Sequence, residues 1–221
     1  MKKKMKLVGI MALVSILIFG IAPAQASLGV GLSGGYFSPN YGEVNDEFIG
    51  INEVLGTDLG FESGFAWGLN LNYDFNPNWR MRGEYVDFSS KTSEPFLIDG
   101  FIGFADFKLN LSALTLSGIY RFFPEKTFSP YIGVGVGSFS TEYEGEITVG
   151  PISFRASDNA SPIGFRLLVG AEHKTGENVS ILGELRYISA KAEDLLEGEG
   201  IKGIDVDWSG PSFGLGIAYR F

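Results

Sequence analysis

The chain alternates. From Ser212 to Phe221 it reads S-F-G-L-G-I-A-Y-R-F, with Phe213, Leu215, Ile217, Tyr219 and Phe221 in one phase and Gly214, Gly216, Ala218 and Arg220 in the other. Side chains of an extended strand switch face at every residue, so this pattern predicts a β-strand with one apolar, aromatic face. An aromatic-flanked strand of about ten residues with a single apolar face suits a tilted bilayer crossing.

The same unit recurs seven times before it. Strand one covers Leu28 to Phe37, with Leu28, Val30, Leu32 and Tyr36 opposite glycines and Ser33. Strand two alternates Phe65, Trp67, Leu69, Leu71, Tyr73 and Phe75 with Ala66, Gly68, Asn70, Asn72 and Asp74. The turn residues Asn76-Pro77-Asn78 lead to strand three, which sets Met81, Gly83 and Tyr85 against Arg80, Arg82 and Glu84. Closure on that turn would place Asp74 opposite Arg80. Strand four, Phe107 to Phe122, has apolar residues at odd positions (Leu109, Leu111) and then at even ones (Leu114, Leu116, Tyr120, Phe122). An extra residue shifts every later side chain across a sheet, so the slip predicts a β-bulge near Ser112. Strand five follows a turn around Pro124 to Pro130, with Ile132, Val134 and Val136 opposite three glycines. Strand six sets Ile163, Phe165, Leu167, Val169 and Ala171 against Gly164, Arg166, Gly170 and Glu172. After a short turn at Thr175 to Asn178, strand seven sets Ile181, Gly183, Leu185 and Tyr187 against Glu184 and Arg186.

Long connections (38–63, 89–106, from strand five to about 161, and 190–208) alternate with short turns. Antiparallel neighbours joined in this way predict an all-β, eight-stranded antiparallel up-and-down transmembrane β-barrel. In such barrels short turns face the periplasm and the four long loops face outward. A soluble barrel would put the apolar face inside and leave the other face as its surface. Here the second face is rich in glycine and carries a balanced charge set: Asp74, Glu84, Glu172 and Glu184 with Arg80, Arg82, Arg166, Arg186 and Arg220. Lipid cannot satisfy these groups, so they are expected to line the lumen as an interlocked network. Eight strands enclose only enough room for side chains, and a mostly occluded polar lumen follows.

Composition adds a leader and excludes some functions. Residues 1–26 have four lysines, an apolar run from Leu7 to about Ala22, and Pro23-Ala24-Gln25-Ala26. This predicts a signal peptide cleaved between Ala26 and Ser27, and an outer-membrane barrel domain over 27–221. Without the leader, thirteen basic residues face twenty-six acidic ones, a net charge of −13. Nucleic-acid binding needs a basic surface and is not expected. The chain has no cysteine, which rules out disulfides and thiolate chemistry. The outer loops show no calcium-loop spacing, so no metal or cofactor is expected.

The segments GGYFSP, YDFNPNWRMRGEYVDF, PYIGVGVG and GLGIAYRF resemble the small bacterial outer-membrane β-barrel superfamily, which includes the OmpA transmembrane domain and the OmpX- and OmpW-type barrels. The resemblance spans residues 27–221. It implies the outer membrane of a Gram-negative cell, export by the general secretory route, and insertion by the barrel-assembly machinery, which reads a terminal aromatic such as Phe221. It also implies lipid and lipopolysaccharide as surroundings. No peptidoglycan-binding domain follows the barrel, so wall tethering is not expected. The expected role is structural or surface-interacting, adhesin-like, for a monomer. The alternative is a narrow channel for small or apolar solutes, as the OmpW-type resemblance allows. A third reading is a lipid-modifying enzyme. It needs a histidine beside its partner, and His173, the one histidine, is in phase with the lipid-facing residues near the periplasmic rim. The apolar run Pro95 to Phe104 extends strands three and four, covers the mouth, receives an apolar ligand or presents an adhesive surface; the sequence leaves these open.

Overall fold

A computed structural model describes residues 27–98, 100–195 and 204–221. The leader, with its cleavage site at Ala26, lies outside the described residues. The strands are β1 (Ser27–Phe37), β2 (Gly64–Asp74), β3 (Trp79–Ile98), β4 (Phe101–Arg121), β5 (Phe128–Val149), β6 (Ile152–Ala160), β7 (Ile163–Lys174), β8 (Val179–Ser189), β9 (Lys191–Leu195), β10 (Ile204–Asp207) and β11 (Gly210–Arg220). Helix α1 spans Gly42–Leu55. No described helix is long and apolar enough to cross a membrane.

Eight of the strands close a barrel. β1 pairs with β2 and with β11, β2 with β3, β3 with β4, β4 with β5, β5 with β7, β7 with β8, and β8 with β11, all antiparallel. First and last strands meet along Gly29↔Arg220 to Phe37↔Ser212. That seam needs small residues: a Cβ on Gly35 would fall 2.0 Å from the Phe213 carbonyl oxygen.

The outward face carries an apolar band bounded by aromatics. Its lower rim has Phe75, Trp79, Phe122, Phe128, Tyr219 and Phe221, and its upper rim Tyr36, Phe65, Trp67, Tyr85 and Phe165. On β4 the band runs from Leu114 to Phe122, the ~9 residues a tilted crossing needs. The same pairing places Asp74 opposite Arg80, as the short turn requires.

Above the band the barrel wall continues. β3 and β4 stay paired from Trp79↔Tyr120 to Ile98↔Phe101, so most of the 89–106 connection is strand. β5 and β6 form a second projecting hairpin. Gly100 (φ 80°) and Gly150 (φ 57°) stand at the two hairpin tips, in the left-handed region glycine adopts without a Cβ penalty. The Pro95 to Phe104 run therefore extends strands three and four.

The β-bulge expected near Ser112 is absent. Pairing of β4 with β3 and with β5 keeps one register through that residue. Leu109 and Leu111 point into the barrel, both buried, while Leu114 and Leu116 point to lipid. What changes at this level is the chemistry of the bore, from polar below to apolar above. A constant backbone phase then gives a reversed apolar phase in the sequence. The lumen is thus polar only in its lower half.

The upper bore is a packed core. Phe37, Phe88, Leu109, Leu111, Phe139 and Trp208 join Phe48 of α1 and Leu59 and Phe61 of the segment that follows it. The Phe48 and Phe107 rings lie 4.9 Å apart, and Phe139 and Trp208 5.4 Å apart. The buried Trp208 indole donates to Thr141 Oγ1 at 2.8 Å, giving its N–H the partner a buried indole requires. On α1, Val44, Phe48, Ile51 and Leu55 face this core. Asn45 and Asn52, two turns apart, hold the returning chain. Asn45 receives the Phe61 amide at 2.9 Å and donates to its carbonyl at 3.1 Å; Asn52 does the same for Leu59 at 2.8 and 3.0 Å.

Candidate functional site

Below that core the inward positions of β2, β3, β4, β7, β8 and β11 carry charge, because period-two alternation with an apolar outside leaves those positions to polar residues. All nine charged residues singled out in the sequence lie in the bore, in two layers. The lower layer holds Asp74, Arg80, Glu172 and Arg220. Arg80 Nε lies 2.6 Å from Asp74 and its Nη1 3.1 Å from Glu172. Arg220 reaches Glu172 at 3.3 Å and Asp74 at 3.7 Å. Ser180 donates to Glu172 at 2.8 Å.

The upper layer holds Arg82, Glu84, Arg166, Glu184 and Arg186. Arg82 pairs with Glu184, and Arg166 with Glu84 at 2.6 Å. Arg186 bridges both carboxylates, at 3.1 Å from Glu84 and 2.5 Å from Glu184. On one side of the bore Ile119, Tyr131, Leu168, Leu182 and Ala218 pack between the layers.

Sequence reasoning missed three participants. Arg121 pairs with Asp74 at 3.0 Å and lies 3.8 Å from Glu172. Its signal was present, since it sits between outward Tyr120 and Phe122. Tyr131 donates to Glu184 at 2.5 Å, and the Arg82 guanidinium lies 5.8 Å from its ring centre. Asn72 accepts from Arg82 Nε at 2.8 Å. Both share the inward phase of their strands.

Chemically, such a layer locks and excludes. Paired guanidiniums and carboxylates are structural more readily than catalytic, and their net contribution to stability is small even where breaking them is costly. His173 lies outside this set, exposed at the lower rim opposite Phe128. Phe221, the expected assembly signal, donates its amide to the Leu28 carbonyl at 2.8 Å, which fixes the chain end to β1.

A major outer membrane protein from Thermus thermophilus shares this fold, with a TM-score of 0.54 at 16% identity, covering 89% of this chain and 99% of that one. The outer membrane protein OprG from Pseudomonas aeruginosa aligns with a TM-score of 0.47 at 16% identity over 90% of this chain and 97% of its own. Ail, the attachment invasion locus protein of Yersinia pestis, solved with the heparin analogue sucrose octasulfate, gives 0.45 at 16% identity over 89% and 97%. No curated protein matches the chain in sequence. The model of the outer membrane protein beta-barrel domain matches residues 11–221. Nearly the whole chain is covered by that match, and the closed barrel agrees with it: this protein lies in the outer membrane and belongs to the outer membrane protein beta-barrel domain family.

Proposed function

We propose that the protein is a plugged barrel that presents its projecting hairpins at the cell surface, with a structural or adhesive role and no permanent pore. The filled bore carries this reading. Two ionic layers and an apolar core follow one another along the barrel axis. Between the upper ionic layer and the core, a cavity of about 30 Å³ lined by Ser33, Thr115, Arg166, Arg186 and Trp208 has room for a water or two. The surface reading is supported by the hairpin tips, where Leu97, Phe101, Ile102, Phe104 and Phe154 are all exposed, as at contact surfaces. The same proposal takes the chain as a monomer among lipid and lipopolysaccharide. It is processed at Ala26–Ser27 and inserted by the barrel-assembly machinery through Phe221. A lipid-modifying site is disfavoured by the position of His173, which has no place in the bore.

Planar-bilayer conductance of the folded protein tests this. Silence is expected from barrels whose folding is checked by heat-dependent gel mobility. Discrete, reproducible current steps would overturn the plugged reading in favour of a narrow channel.

A further inference from the structure

The bore holds more cation than anion. Among the described residues, Arg80, Arg82, Arg121, Arg166, Arg186 and Arg220 share only Asp74, Glu84, Glu172 and Glu184, three guanidiniums to two carboxylates in each layer. Excess charge held out of water is costly unless a counter-ion meets it.

The lower layer has access to solvent. A cavity of about 140 Å³ opens beneath it between the β2–β3 and β4–β5 turns, lined by Arg121, Lys174 and Arg220 together with Ser27, Asp74 and Glu125. Arg121 is 3% exposed, and its Nε is buried without a hydrogen-bond partner. The Arg220 side chain is about one-third exposed and makes only the longer contacts of the layer. Lys174 donates once, to the Pro124 carbonyl at 2.7 Å, out of three N–H groups. Asp74, with Glu172 behind it, is already shared among Arg80, Arg121 and Arg220, and Glu125 stands on the exposed turn.

We propose that this periplasmic mouth is a binding site for a phosphate-class oxyanion, held by Arg121, Arg220 and Lys174. Guanidinium forks pair with the oxygens of such an anion, and the ammonium adds a compact point charge. A volume of this size exceeds the ~10–15 Å³ needed by one water and admits a small oxyanion. Two sources offer the same chemistry: free phosphate in the periplasm, or the phosphodiester headgroup of an inner-leaflet lipid. The exposed aromatic collar of Phe75, Trp79, Phe122 and Phe128 brings that headgroup level with the mouth.

Phosphorus-31 NMR on the purified protein tests the site. One arm titrates inorganic phosphate in a phosphorus-free zwitterionic detergent. The other compares nanodiscs of phosphatidylglycerol with nanodiscs of phosphatidylcholine. Saturable broadening of the free phosphate line, weakened at least tenfold in the Lys174→Gln/Arg220→Gln variant, assigns a free anion. A variant-sensitive change confined to phosphatidylglycerol assigns the headgroup. Both side chains are partly exposed, so the variant should fold; where it does not, Lys174→Gln alone serves. No saturable change in either arm, or the same change in wild type and variant, overturns the proposal.

Discussion

Removing the Glu184 carboxylate should strongly destabilise the barrel. Glu184 accepts from Arg82, from the Tyr131 hydroxyl at 2.5 Å, and from Arg186 through Nε at 2.7 Å and Nη2 at 2.5 Å. The Arg82 side chain is 0% exposed, and Asn72, which remains to it, is neutral. Glu184→Ala would leave the upper layer with three guanidiniums and one carboxylate. Breaking a buried pair by removing one partner costs about 3–5 kcal/mol, because the other charge stays behind unpaired. With a urea dependence of ~2 kcal/mol per molar, the unfolding midpoint should fall by roughly 2 M. Equilibrium unfolding in detergent, followed by the fluorescence of Trp67, Trp79 and Trp208, measures it. A cycle of Glu184→Leu, Arg82→Met and the Arg82→Met/Glu184→Leu double variant separates the lost pair from lost packing. The double variant should be less damaged than the sum of the singles by ~1–3 kcal/mol. A Glu184→Ala change below about 0.5 kcal/mol, or strict additivity of the cycle, would refute a coupled buried network.

Two further outcomes follow from the upper core. Leu109→Ala should cost about 2–5 kcal/mol as a buried cavity, and Leu116→Ala less, since fluid lipid refills the space beside it; equal costs in the same unfolding assay would count against the unbroken register of β4. Burial pushes the Tyr143 hydroxyl up to about 12, from an ordinary 10, and raises that of Tyr41 as well. A raised folded-state value means stability is complete below pH 10 and falls by about 1.4 kcal/mol per pH unit for each such tyrosine as pH rises towards 12. Unfolding midpoints between pH 9 and 12 should show this slope, and Tyr143→Phe should remove one tyrosine's share of it; an unchanged slope would remove Tyr143 from the buried core.

The membrane-embedded half was legible because lipid enforces alternation there. Wherever the outside must be apolar, a polar residue in the opposite phase has to point inward, and Asp74, Arg80, Glu84, Glu184 and their partners could be named from that rule alone. Arg121 obeys the same rule, standing between outward Tyr120 and Phe122. The upper half was not legible in this way. Leu109 and Leu111, placed among Lys108, Asn110 and Ser112, look like any strand with one wet face, and nothing local states which side is wet. Helix α1 was hidden for another reason. Val44, Phe48, Ile51 and Leu55 mark a helical stripe, but it lies in an acidic stretch between strands, where a loop is the ready reading.

One level around the barrel explains both halves. On β3 the outward residues change from Tyr85 to Asp87 and the inward ones from Glu84 to Phe88. On β4 the outward change is Leu114 to Ser112 and the inward change Thr115 to Leu111, and on β5 it is Val136 to Ser138 outside and Gly137 to Phe139 inside. Backbone pairing is continuous through all of these positions. The backbone therefore does not cause the switch; the medium outside it does. Where lipid surrounds the wall, apolar groups gain nothing by turning inward, and the bore can hold charge. Where water surrounds it, burial of apolar surface again favours folding, at roughly 25 cal/mol per Å², and the bore fills with Phe, Leu and Trp. The chain is an outer-membrane barrel below this level and a water-exposed one, with an ordinary hydrophobic core, above it. The level of the switch marks the outer boundary of the membrane.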